Sequence, residues 1–179
     1  MRPLRARPPG PGRGTAVALA LALALGAAGG CREKAALTLP RPDDLEGLYG
    51  SGAEVTLNGN VVDVHVVQDA RQLRRGGNLW AKVGPYIYLF SPQTRDLFAG
   101  YTGVGGVRVR TFDPQGRLVA EALLERGALN GFTWNKALNL VGKARLEGSR
   151  RPGYMENLVR YGEDLAEHEY SPRYVKEEG

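Results

Sequence analysis

Cysteine is nearly absent: the 179 residues contain one, Cys31. A single thiol closes no intrachain disulfide, so a fold built from this chain must rest on a hydrophobic core. Long apolar runs are missing too. The longest, Ala16 to Leu25, grows to thirteen residues when Gly26, Ala27 and Ala28 are counted. As a helix it reaches only ~20 Å against a hydrocarbon core of ~30 Å, which excludes a membrane span at this position. No acidic residue precedes Glu33, whereas Arg2, Arg5, Arg7 and Arg13 stand ahead of the apolar run. Signatures of covalent catalysis are lacking as well: there is no G-x-S-x-G elbow, and the lone cysteine has no histidine near it in sequence.

What is present at the N-terminus is a basic segment, a short apolar run and then Ala28-Gly29-Gly30-Cys31. A positive n-region, a short h-region and small residues before a boundary are the marks of an export leader. The four residues resemble the bacterial lipoprotein signal, in which an aliphatic residue and two small residues precede the cysteine. Gly29 and Gly30 fit, and Ala28 stands where leucine is usual. The resemblance covers about thirty residues. It implies diacylglyceryl attachment to Cys31, cleavage before it, and a palmitate-bearing anchor of several acyl chains; an ordinary secretory signal is the alternative. By resemblance to lipoprotein sorting in double-membrane bacteria, Arg32 after the cysteine implies the outer membrane, facing the periplasm.

The formal charge of +5 invites a nucleic-acid reading, but four of the 24 basic residues lie in the leader and none of the 19 acidic ones do. That leaves 20 basic against 19 acidic side chains, a nearly neutral domain with no reason to seek nucleic acid. Residues 1–30 are therefore expected to be the leader and 31–46, with Pro40 and Pro42, a tether. Residues 47–170 are expected to form a single domain, and 171–179 a flexible tail.

Within the domain, Val55 to Leu57 and Val61 to Val67 flank Asn58-Gly59, a type I′ hairpin signal. Val62, Val64 and Val66 alternate with Asp63 and His65, the pattern of a half-buried strand. Asp69 to Arg75 can form one turn of helix before Gly76-Gly77. Leu79 to Val83 and Tyr86 to Phe90 read as strands, the second apolar on both sides and therefore central. Leu97 to Tyr101 reads as a shorter strand after a turn at Ser91-Pro92-Gln93. Val107 to Phe112 and Leu118 to Leu124 flank the turn Asp113-Pro114-Gln115-Gly116. Thr133 reads as the N-cap of an amphipathic helix ending at Gly148, and Pro152 opens a second helix that runs toward Pro172. The expectation is an α+β domain: an antiparallel sheet or small sandwich of five to seven strands, followed by two C-terminal helices.

Candidate chemistry is sparse. Asp63 and His65, two apart on one strand face, permit an Asp-oriented imidazole, although a third partner is missing and a surface histidine is the plainer reading. Asp164 and His168, four apart on the expected second helix, supply two metal ligands where a closed zinc site takes four, so no metal or other cofactor is expected. Glu163 and Glu167 share a helical face and offer the carboxylates of glycoside hydrolysis, though such pairs normally straddle a cleft. Arg71, Arg74 and Arg75 form the densest basic patch, and Arg145, Arg150 and Arg151 a looser one; either suits anionic headgroups or acidic cell-wall polymers. Trp80, Tyr86, Tyr88 and Tyr101 suit a ligand groove or a core. These observations favour a non-enzymatic envelope lipoprotein with a binding or assembly role, its partners being membrane lipid and an envelope protein or cell-wall polymer. The alternatives are an envelope hydrolase using His65, Asp63 or Glu163, and a small-ligand carrier.

Overall fold

The computed structural model describes residues 36–176. Cys31, the expected leader and the last three residues lie outside the described part. The chain forms a mixed five-stranded sheet with helices, an α+β fold. The strands are β1 (Ala53–Asn58), β2 (Val61–Val67), β3 (Gly106–Phe112), β4 (Leu118–Glu125) and β5 (Glu167–Tyr170), in spatial order β1-β2-β3-β4-β5. The helices are α1 (Pro42–Leu45), α2 (Ala70–Leu89), α3 (Pro92–Gly100), α4 (Gly131–Glu147) and α5 (Gly153–Glu163).

Both predicted hairpins form. In the first, Asn58 pairs with Val61, so the two-residue loop is Gly59-Asn60 and only Gly59 has positive φ, at 63°. That is the type II′ pattern, with glycine at the first central position, in place of the expected type I′. In the second hairpin β3 pairs antiparallel with β4, with a register shift at Thr111/Phe112.

The stretch between the hairpins departs most from expectation. Leu79 to Val83 and Tyr86 to Phe90 are not strands; they form the body of α2 and its C-cap. Ala81, Val83, Tyr86, Leu89 and Phe90 are each 0% exposed. A helix buried nearly all round is apolar on every side, and a short run of that kind cannot be told from a central strand by periodicity. Ser91-Pro92 likewise begins a helix: Ser91 is the N-cap of α3, its hydroxyl accepting from the Thr94 N–H at 3.3 Å, with Pro92 in the first turn. Leu97 to Tyr101 is thus the end of that helix. Because α2 and α3 carry the chain over the sheet, β3 returns parallel to β2, and the expected all-antiparallel sheet is mixed.

Two further corrections concern ends. Asn130, not Thr133, is the N-cap of α4; Thr133 occupies the third helical position and exchanges hydrogen bonds with Asn130 at 3.0 and 2.7 Å, a reciprocal capping box. Helix α5 stops at Glu163, and Glu167 to Tyr170 add the fifth strand antiparallel to β4. The described part of the expected tail follows it onto the domain: the Ser171 N–H bonds Val119 O at 3.0 Å and Val175 is 7% exposed. The described part of the expected tether does the same, with Thr38 bonded to Thr102 at 3.1 Å and Leu45 2% exposed.

The core lies on one face of the sheet. Val62, Val64, Val66, Val107, Val109, Ala122 and Leu124 turn toward α2, which packs on β3 and β4 and against α5, itself packed against α4. Among the described residues the other face carries no helix, and Asp63, His65, Arg108, Arg110 and Glu121 make it polar. Among the described residues no helix is long and apolar enough to cross a membrane.

Candidate functional site

A cleft of about 550 Å³ lies between the start of α2 and the α4–α5 connection. Asp69 starts α2 by accepting from the Arg71 and Gln72 N–H groups at 2.5 and 3.2 Å. Those bonds hold its carboxyl below the usual range, aided by the nearby Arg71 and Arg74 charges. From that cap Arg71 and Arg75 follow four residues apart, the spacing that places side chains on one helical face, and Leu79 comes after a kink. Gly77, at φ 54° and ψ −140°, breaks the helical backbone between Arg75 and Leu79. Only glycine takes that conformation freely. All three side chains line the cleft, together with Gln72 and Trp80.

The opposite wall is Gly148, Ser149, Pro152 and Met155. Gly148 is required there by close approach, since a Cβ would collide with Ala144 O and the Met155 side chain. Its neighbours Arg150 and Arg151 belong to the second basic patch, so two stretches about 75 residues apart in sequence meet across this cleft. Arg151 is paired with Glu147 at 3.1 Å. Among the described residues Arg71, Arg74, Arg75 and Arg150 form no ion pair, and no carboxylate lines the cleft.

A second, larger groove of about 1190 Å³ begins at Leu79 and runs to the β5 edge, past Asn78, Lys82, Glu163, His168 and Tyr170. Part of its polar lining is bonded together. Tyr86 Oη and Tyr170 Oη are 2.7 Å apart, Tyr170 donates to Glu163 Oε1 at 3.0 Å, and Lys82 Nζ stands 3.4 Å from that same oxygen. Lys82 also lies 5.1 Å over the Tyr170 ring, an added cation–π contact. Burial pushes both phenols above their ordinary range, so they are hydrogen-bond donors at neutral pH rather than phenolate bases.

On the uncovered sheet face the candidate pair of Asp63 and His65 does not form. Asp63 is 4% exposed and faces Arg108 and Arg110, each at 3.5 Å, while His65 Nε2 meets the same Arg110 at 3.5 Å. Arg110 therefore stands between them and is also bonded to Glu121 at 2.5 Å. Glu163 is on the helix-covered side, hydrogen-bonded to Tyr170. Asp164 caps α5 while His168 is on β5, so helical spacing relates neither this pair nor Glu163 and Glu167.

Of the expected binding residues, Trp80 and Arg75 line the arginine cleft, and Arg74 is exposed beside it without lining it. Tyr86 is core, reaching the second groove only through its hydroxyl. Tyr88 packs against Tyr49, and Arg145 lies over its ring at 6.0 Å, away from the cleft. Tyr101 caps α3. Lys82 and Tyr170 were not legible as site residues. The one available signal was a lone lysine inside the apolar run from Leu79 to Phe90. Comparison of the chain with protein-family models, curated proteins and solved structures finds no match.

Proposed function

We propose that the chain is a non-enzymatic bacterial envelope lipoprotein, held at the membrane through acylated Cys31, whose α+β domain binds an envelope component in the cleft formed by Arg71, Arg75 and Trp80. The leader and Ala28-Gly29-Gly30-Cys31 support the anchor, and Arg32 supports the outer membrane with the domain facing the periplasm. The observation that carries the binding role is the cleft, where cationic side chains without carboxylate partners surround an aromatic floor. Binding sites for small ligands combine an apolar lining with a few convergent polar groups in this way. A hydrolase would draw on Asp63, His65 and Glu163, and these stand on opposite faces of the sheet.

Two measurements test the reading. Radiolabelled palmitate is expected to mark the chain and not its Cys31→Ala variant; equal labelling of both would remove the anchor. A photo-crosslinking benzoylphenylalanine at Trp80 is expected to capture an envelope component in cells, while the same residue at Thr56 on the open sheet face is not. Equal capture at both positions would remove the cleft as the binding site.

A further inference from the structure

Resting on that reading, we infer that the cleft holds an anionic phospholipid: its phosphate between Arg71 and Arg75, and the start of its acyl chains over Leu79, Trp80 and Met155. Two guanidinium groups one helical turn apart offer planar forks that a tetrahedral phosphate can bridge, and an arginine–phosphate contact is charge-assisted and directional. The wall supplies no acid to neutralise them. Gln72 and Ser149, exposed at the rim, add donors and acceptors suited to the hydroxyls of a glycerol headgroup.

Charge alone would suit inorganic phosphate, but the floor does not. Leu79 and Trp80 are half-buried and Met155 is 3% exposed, so an apolar strip continues inward from the arginines. A ligand that satisfies both parts has an anionic end joined to an apolar one. The neighbouring groove is the internal control. Its Lys82 is already paired with Glu163, and Glu156 and Glu169 line it as well, so its cationic side chains share the groove with carboxylates.

Chain length brings the lipid within reach. Thr38, where the chain is hydrogen-bonded to Thr102 on the domain, stands only seven positions after Cys31. At ~3.3–3.6 Å per residue they span no more than about 25 Å. An acylated Cys31 thus keeps the domain at the bilayer surface, where phospholipid is the most concentrated anionic amphiphile.

The test uses the full chain with Trp134→Phe, which leaves Trp80 as the sole tryptophan, held in phosphatidylcholine nanodiscs. Dihexanoyl-phosphatidylglycerol, titrated below its micellar concentration, is expected to shift Trp80 emission saturably. Inorganic phosphate and dihexanoyl-phosphatidylcholine should need at least tenfold higher concentration. In the Arg71→Gln/Arg75→Gln variant, confirmed as folded by circular dichroism, the apparent affinity should fall at least tenfold. An unchanged affinity in that variant would overturn the phosphate contact, and phosphatidylcholine binding as tightly as phosphatidylglycerol would overturn the preference for an anionic lipid. Inorganic phosphate binding as tightly would overturn the lipid. Either result leaves palmitate labelling and Trp80 crosslinking untouched, so this inference can fail while the proposed function stands.

Discussion

The two faces of the sheet are built from the same strands and obey different rules. On the face under α2, Val62, Val64, Val107, Val109 and Leu124 are each 0% exposed and belong to one hydrophobic cluster. On the open face the alternating residues are Asp63, His65, Arg108, Arg110, Glu121 and Leu123. There too a side chain is buried, the Asp63 carboxylate, covered by the arginine side chains rather than by a helix. Long cationic side chains can lie along a sheet and shield a carboxylate while their heads stay wet. One face draws its stability from excluded water, and the other balances desolvation against ion pairing.

Consecutive residues on β4 test that difference most directly. Leu124→Ala empties a fully buried site and is expected to cost about 2–5 kcal/mol, whereas Leu123→Ala on the half-buried open face should cost below about 1.5 kcal/mol, both read from urea unfolding midpoints. Equal losses would mean that the open face is covered in solution.

Overpacking the covered side comes next. Gly162→Ala would drive a Cβ into the ring of Tyr86, which is held by Phe90 on one side and Tyr170 on the other. A loss of about 1–3 kcal/mol is expected. Full rescue by Tyr86→Leu would show that the clash is with this ring alone.

On the open face, Asp63→Ala leaves Arg108 and Arg110 with Glu121 as their remaining carboxylate, and a loss of about 1–2 kcal/mol is expected. A double-mutant cycle with Arg110→Gln should show coupling. Additive losses would contradict the ion-pair network.

The β3–β4 turn supplies a pH-dependent effect. Burial pushes the Asp113 carboxyl upward, but hydrogen bonds from Tyr174, Arg117 and Gln115 outweigh it and hold the group well below the usual carboxylate range. A folded-state value below the unfolded one means that this stabilisation is present above about pH 4 and is lost as pH falls through the folded value. The thermal midpoint should therefore drop less steeply between pH 5 and pH 2 in Asp113→Asn than in the parent chain. The smallest effect is expected at the exposed Arg151–Glu147 pair, where Glu147→Ala should cost no more than about 0.5 kcal/mol.

The hairpins were legible because a period of two and Gly-containing turns act over a few residues. So was the helix pair, from its amphipathic spacing, its glycine stop and its proline start. Asp63 and His65 were correctly placed on one strand face, but their partners arrive from β3 and β4, and no local pattern announces that Arg110 will stand between them. Tyr86 and Glu163 were both noticed, for unrelated reasons, and Tyr170 links them only because β5 returns beside β4.

By itself the sequence determined the local choices: alternation on β2 and β3, the places of the turns that close both hairpins, the glycine stop and proline start of the helix pair, and an N-terminal segment whose four arginines account for most of the net charge. Each of these is decided by sterics, hydrogen bonding or charge within a turn or two of chain. Only the tertiary structure decided that the apolar run from Leu79 to Phe90 is a helix, that β3 lies parallel to β2, and that Arg71 and Arg75 share a cleft with Ser149. Those outcomes depend on which apolar surfaces exclude water together. Burial of that kind is settled between segments far apart in the chain, and periodicity along one segment does not record it.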